Sequence, residues 1–136
     1  MTTAILSRRE TFSASHRLHC NNLGDEENRK LFGKCNHTSG HGHNYVLEVL
    51  VKGTIDEKTG LVMNLADLKQ IIHDHVLIKV DHKHLNVDVP EFKTLNPTTE
   101  NVAKIIWDWL KPQLGGLLYE VRLQETENNL AIYRGE

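Results

Sequence analysis

With 136 residues, 39% hydrophobic and 25% charged, the chain has the length and balance of one soluble globular domain. Its formal net charge of -2 provides no basic excess for nucleic acid, and no apolar run approaches the roughly 20 residues that span a bilayer. Such a chain buries roughly 65–70% of its unfolded surface, enough core to stand without cross-links.

Ala4 to His16 reads as a first strand. Arg17 to Ser39 is a long polar excursion, with one helical turn expected around Asp25 to Phe32. Tyr45 to Thr54 alternates, with Tyr45, Leu47, Val49 and Val51 on one face, which is a strand with one apolar side. Gly53 to Gly60 reads as a turn, and Leu61 to Met63 as a short return strand. Asn64 is placed to cap a helix that carries Leu65, Leu68, Ile72 and His75/Val76 at helical spacing. A second helix starts after Pro97 with Thr98 or Thr99 as its cap. It presents Val102, Ile105, Ile106, Trp109 and Leu110, and is expected to end at Pro112 and Gly115-Gly116. Tyr119 to Glu125 and Ala131 to Arg134 form two closing strands around an Asn128-Asn129 turn. The order β-β-α-α-β-β predicts an α+β fold: a four-stranded antiparallel sheet with two helices on one face. The other face, if apolar, would favour oligomerisation.

Nine histidines are many for this length. His41-Gly42-His43 is the sharpest local signal. In an extended segment its two imidazoles point the same way and can grip one cation. Zinc in a catalytic site takes three protein ligands and keeps a fourth position open, and His16 at the end of the first strand is the natural third. Taken alone, an HxH pair is as often surface histidine near a turn. Cys35 lies in polar surroundings, Gly33-Lys34 and Asn36. A thiol beside a cation or histidine can act as base or nucleophile. It can equally close a three-His-one-Cys shell, or be a small buried hydrophobe. Asp81-His82 is a carboxylate–imidazole pair of the kind that supports acid–base sites, although adjacency does not guarantee that the two meet. Thr98-Thr99-Glu100 caps a helix, and a helix N-terminus also suits polar ligand edges. Glu125 is unusual in an apolar strand if it points inward, where it would accept two donors from a planar heterocycle. No secretory stretch appears within Met1 to Glu10, and Cys20 and Cys35 read as free thiols. The expectation is therefore a cytoplasmic protein with no membrane or nucleic-acid partner.

The order of these segments is specific. Phe12-Ser13-Ala14-Ser15-His16-Arg17-Leu18, Leu31-Phe32-Gly33-Lys34-Cys35-Asn36 and Gly40-His41-Gly42-His43-Asn44-Tyr45 resemble the N-terminal half of the 6-pyruvoyltetrahydropterin synthase family. Met63 to Lys69, Asp81-His82-Lys83 with Leu85-Asn86, Pro97-Thr98-Thr99-Glu100-Asn101 and Glu125-Thr126 continue the resemblance, which runs from Arg8 to Glu136. The resemblance implies one zinc ion per subunit on His16, His41 and His43, with Cys35 as the proton-abstracting base and Asp81 and His82 as its partner pair. It implies Glu125 as the pterin anchor, helped by Thr98 and Thr99. It further implies subunits that close a β-barrel as trimers, two trimers stacked into a hexamer, and sites formed between subunits. The implied activity is a lyase reaction of tetrahydrobiopterin biosynthesis, from 7,8-dihydroneopterin triphosphate to 6-pyruvoyltetrahydropterin, with magnesium assisting at the triphosphate. A related branch, the 6-carboxytetrahydropterin synthase of the queuosine route, uses similar zinc histidines with its cysteine closer to the HxH pair. Here five residues separate Cys35 from His41, and the Asp25 to Lys34 insert also favours the biopterin branch, whereas Asn96-Pro97-Thr98 reads more like the other. A reading from another class is a structural zinc module that binds a partner through its open sheet face.

Overall fold

The computed structural model describes residues 1–136. Two long strands, β1 (Thr3–His16) and β2 (His41–Thr54), pair antiparallel along their whole lengths. Between them lie a short helix α1 (Asp25–Phe32) and a 3-10 turn, Gly33–Asn36. After β2 come α2 (Leu65–Ile72), a turn of π geometry at His73–Leu77, and α3 (Ile78–Val80). Then follow a two-residue strand β3 (Lys83–His84), α4 (Leu85–Asp88), the main helix α5 (Thr99–Leu114), β4 (Leu118–Thr126) and β5 (Asn129–Tyr133). The sheet order is β3-β1-β2-β4-β5.

The alternation of β2 explains the layering. Tyr45, Leu47, Val49 and Val51 are fully buried on one face, where Leu68, Ile72, Val76 and Val80 from the first helical run and Val102, Ile106 and Leu110 from α5 pack on them. Burying an aliphatic side chain contributes roughly 1.5–3 kcal/mol, so this single layer contact dominates stability. Both helix starts are as expected. The Asn64 side chain accepts a hydrogen bond from Ala66 N–H at 2.8 Å, and Thr98 accepts one from Asn101 N–H at 3.2 Å. The opposite sheet face carries no helix, and Ile5, Leu130 and Ile132 stand exposed on it.

Several expectations need correction. The sheet has five strands and is mixed, because β3 pairs parallel to β1 through Ala14–Lys83 and Ser15–His84. It remains open in the single chain. Leu61 to Met63 forms no strand, since that segment only leads into the Asn64 cap. Nor does Pro112 end α5. It sits in the last turn, so it removes one hydrogen bond, while buried Leu110 and Leu114 hold the turn to the core. Gly115 at φ 54° terminates the helix, in a region that favours glycine. The closing turn is Glu127-Asn128, and Asn129 already belongs to β5.

In β4 the alternation that turns Val121 inward opposite Val49 sets Glu120 opposite Leu50 on the helix-free face, and a bulge then brings Leu118 opposite Val51. The Glu120 side chain is nevertheless fully buried. It accepts hydrogen bonds from Arg122 and, at 2.7 Å, from Arg134 Nε. Burial pushes its carboxyl up, but the two guanidinium groups outweigh this and hold it below the usual range. A carboxyl depressed in the folded state contributes stability that is present above its unfolded pKa and lost as pH falls through the folded value. Glu120→Gln is therefore expected to lower the denaturant midpoint at neutral pH. The gap to wild type should close as pH falls below about 4.3, the ordinary glutamate value. An equal gap at neutral and acid pH would mean that these ion pairs contribute nothing.

Candidate active site

The β1–β2 register places His16 opposite His41, Ala14 opposite His43 and Phe12 opposite Tyr45. Directly opposed residues share a sheet face, so all three histidines extend the rows that form the core. Along these rows the side chains change from apolar to nitrogen-bearing within one pleat. Phe12 stacks on Tyr45 with centroids 4.8 Å apart, and beyond them the His43 ring meets His16 at 4.9 Å and His41 at 4.7 Å. On β4 the inward positions Val121 and Leu123 are followed by Glu125, which reaches the same point. The 3-10 turn after α1 delivers Cys35, whose carbonyl accepts a hydrogen bond from Leu18 N–H at 2.7 Å.

His16, Cys35, His43 and Glu125 bring one ligand atom each to within 4.8 Å of one another. Cys35 Sγ is 3.8 Å and Glu125 Oε1 is 3.2 Å from His43 Nε2, while Thr99 Oγ1 donates to Glu125 Oε2 at 2.6 Å. His16 is fully buried, and its Nδ1 lies 3.0 Å from the Pro97 carbonyl. A carbonyl can only accept, so Nδ1 carries the hydrogen and Nε2 keeps its lone pair. That buried Nε2 has no protein partner. An orphaned buried acceptor costs about 1–3 kcal/mol, and a cation would satisfy it. A ring that donates one N–H to a backbone carbonyl while its other nitrogen faces a group of donors is the arrangement in which a metal-ligating histidine is held. The donor set fits a metal ion.

The electrostatics suit the same purpose. Burial lowers the His16 pKa, and the Glu125 charge opposes this only in part. Burial likewise lowers His43, again against Glu125. Both imidazoles are then neutral at pH 7, as ligation requires. Burial raises the Cys35 thiol, and the Glu125 charge raises it further, so in the metal-free chain it is protonated. Tyr45, whose hydroxyl lies 3.2 Å from His16 Nδ1, is pushed far up by burial and stays neutral.

The family model for 6-pyruvoyl tetrahydropterin synthase matches residues 5–136. The chain is 54% identical to the 6-pyruvoyl tetrahydrobiopterin synthase of Dictyostelium discoideum, over 98% of both chains. It is 55% identical to the human protein of that name, over 98% of this chain and 92% of the relative. The chain belongs to the 6-pyruvoyl tetrahydropterin synthase family. Its fold agrees: the Caenorhabditis elegans 6-pyruvoyl tetrahydropterin synthase superposes with a TM-score of 0.94 at 43% identity, covering 100% of this chain and 98% of that one.

Within this family member the expected site residues divide into two groups. His16, Cys35, His43, Glu125 and Thr99 converge. His41 is edge-on to His43, but its nitrogens lie outside the four-residue group of ligand atoms. Thr98 performs its helix-capping role. Asp81 and His82 do meet, with Asp81 Oδ1 3.1 Å from His82 Nδ1, and the same oxygen accepts from Ser13 N–H at 3.0 Å. They do not join Cys35. His82, exposed and at φ 60°, lines a cleft of about 560 Å³ with Ser13, Ser15 and Asn44, residues that point away from the core. Sequence reasoning missed Tyr45 and the Pro97 carbonyl. Tyr45 follows His43 by two positions on one strand face, so the same alternation that paired the histidines points to it. A backbone carbonyl leaves no such signal.

Chelator-treated protein should gain thermal stability on adding zinc or cobalt, by about 2.7 kcal/mol at one hundred times the dissociation constant. His16→Ala should remove most of that gain. A gain of full size in the variant would take this nitrogen out of the metal site.

Proposed function

We propose that this enzyme converts 7,8-dihydroneopterin triphosphate into 6-pyruvoyltetrahydropterin, the lyase step of tetrahydrobiopterin biosynthesis. The observation that carries the reading is the donor cluster around the unpartnered His16 nitrogen, in a chain of this family. Zinc is the proposed ion; it would be held by His16 and His43 together with His41, whose ring would have to turn to join them, with Cys35 and Glu125 nearby, because imidazole nitrogens suit it. Bound there, it supplies Lewis acidity to the hydroxyls of the substrate side chain and to the adjacent carbon–hydrogen bonds.

Cys35 is the proposed base. Its thiol stands in the cluster, and a neighbouring positive charge offsets the burial and the Glu125 charge that otherwise keep it protonated. Glu125, oriented by Thr99, accepts two N–H donors from the pyrimidine edge of the pterin, and Thr98 fixes the helix end that presents Thr99. Asp81 and His82 return a proton. Since they lie on the opposite face from Cys35, a second copy of the chain supplies them. This accords with trimers that close their open sheet edges into a barrel and stack as a hexamer. Hydrogen moves within the substrate as triphosphate leaves, so no nicotinamide is needed, and magnesium accompanies the triphosphate. No helix is long and apolar enough to cross a membrane, and two free cysteines suit the reducing cytoplasm.

The test is incubation with 7,8-dihydroneopterin triphosphate and magnesium, followed by mass identification of the product. A 6-carboxy product would favour the queuosine branch, and no turnover by zinc-loaded protein would favour a structural zinc module. Cys35→Ala should keep its zinc and lose roughly 10²–10⁴-fold in rate. Loss of zinc in that variant would make the thiol a ligand and overturn its role as base.

A further inference from the structure

A second cavity, of about 370 Å³, opens beside the Cys35 turn and has no apolar side chain in its lining. Arg17, Arg29 and Lys34 surround it with His37, and Asp25 is the one carboxylate present. None of the three cations forms an ion pair with a protein carboxylate. Three positive charges against one negative are therefore gathered in one recess of a chain whose net charge is -2. Such a concentration is costly by self-repulsion unless an anion shares it.

Residues of the recess are chain neighbours of the donor cluster. Arg17 follows His16, and Lys34 and Asn36 flank Cys35. Arg17 is also held in place. Its N–H donates to Asn86 Oδ1 at 2.8 Å, its carbonyl accepts from Asn86 Nδ2 at 2.9 Å, and its Nε donates to the Asn36 carbonyl at 3.1 Å. The two terminal nitrogens of the guanidinium are left for a ligand, and a planar fork of that kind matches phosphate oxygens. Gly33, at φ 55°, turns the chain out of α1 and brings Lys34 to the same wall as Arg29. The cleft beside His82 is a weaker competitor: Lys83 is its one Lys or Arg side chain, and Asp88 offsets it.

The geometry points to this recess as the polyphosphate subsite, binding the triphosphate tail of the substrate while the pterin end occupies the Glu125 side of the cluster. Naming the tail as ligand rests on the function proposed above. Arg29 and Lys34 supply charge that no other contact in the fold requires, and Arg17 supplies charge from a fixed position. The tail is thereby held at the end of the substrate that must leave.

The experiment is calorimetric titration of the zinc-loaded protein with inorganic triphosphate and, separately, with 7,8-dihydroneopterin, which lacks the tail. Arg17 is kept, because its side chain positions the Asn36 carbonyl. Arg29→Gln/Lys34→Gln should bind inorganic triphosphate at least about tenfold more weakly, with a shallower salt dependence, and should show a raised KM for the triphosphate substrate. Its dihydroneopterin affinity and zinc content should match wild type. Lys58→Gln, a charge removed from an exposed turn, should change none of these. Unchanged triphosphate binding in the double variant would overturn the assignment, as would an equal loss of dihydroneopterin affinity. A double variant with weakened triphosphate binding and an unchanged KM would overturn the tail as occupant. Wild type that binds triphosphate through Arg29 and Lys34 yet turns over no substrate would uphold the recess and reject the synthase reading.

Discussion

The pairing register of β1 against β2 is the constraint on which everything else depends. A strand repeats every two residues, so a slip of β1 by one position would send His16 to the helix-free face, away from His41 and His43, and would turn Ser15 into the core. Burial fixes the register more firmly than the hydrogen bonds alone, because Tyr45, Leu47, Val49 and Val51 must all turn inward together. The stacked pair Phe12 and Tyr45 marks where that apolar block ends. The site is therefore an extension of the core, and it inherits the rigidity of the core.

That inheritance shapes the chemistry. The His16 and His43 nitrogens are kept neutral by the same burial that protects the apolar rows, while Glu125, carried inward by the alternation of β4, pulls in the other direction. His16 Nε2 meanwhile has no partner within the chain. A fold does not ordinarily retain such an atom unless something outside the chain completes it. The N-terminus of α5 contributes twice, through the Pro97 carbonyl to His16 and the Thr99 hydroxyl to Glu125, so one helix start fixes the direction of two site residues.

The sequence made these features legible wherever period or capping chemistry spoke. The alternation of Tyr45 to Val51, the Asn64 and Thr98 caps and the apolar stripe of α5 led directly to the right elements. The HxH pair was readable as two imidazoles on one face because β2 already begins at His41. What escaped was structure held by backbone contacts. β3 is two residues long and has no period of its own, and it exists because His82 N–H donates to the Ser13 carbonyl and the chain then runs beside β1. The Asp81–His82 contact could not be deduced from adjacency, since it depends on Ser13 N–H holding Asp81 and on the unusual φ of His82. The outcome at Pro112 turned on tertiary burial of Leu114, which local propensity does not contain.

β1 meanwhile serves two sides at once. Through His16 it ends in the donor cluster, and through the backbone of Ser13 it grips Asp81 and His82 across the sheet. The five residues from Phe12 to His16 are thus a common mount for two sets of polar side chains that face in opposite directions. A shift of this strand that relaxed one set would displace the other by the same amount. A substitution between Phe12 and His16 that bends the backbone would therefore disturb both sides together, whereas a change in the surrounding loops need disturb neither.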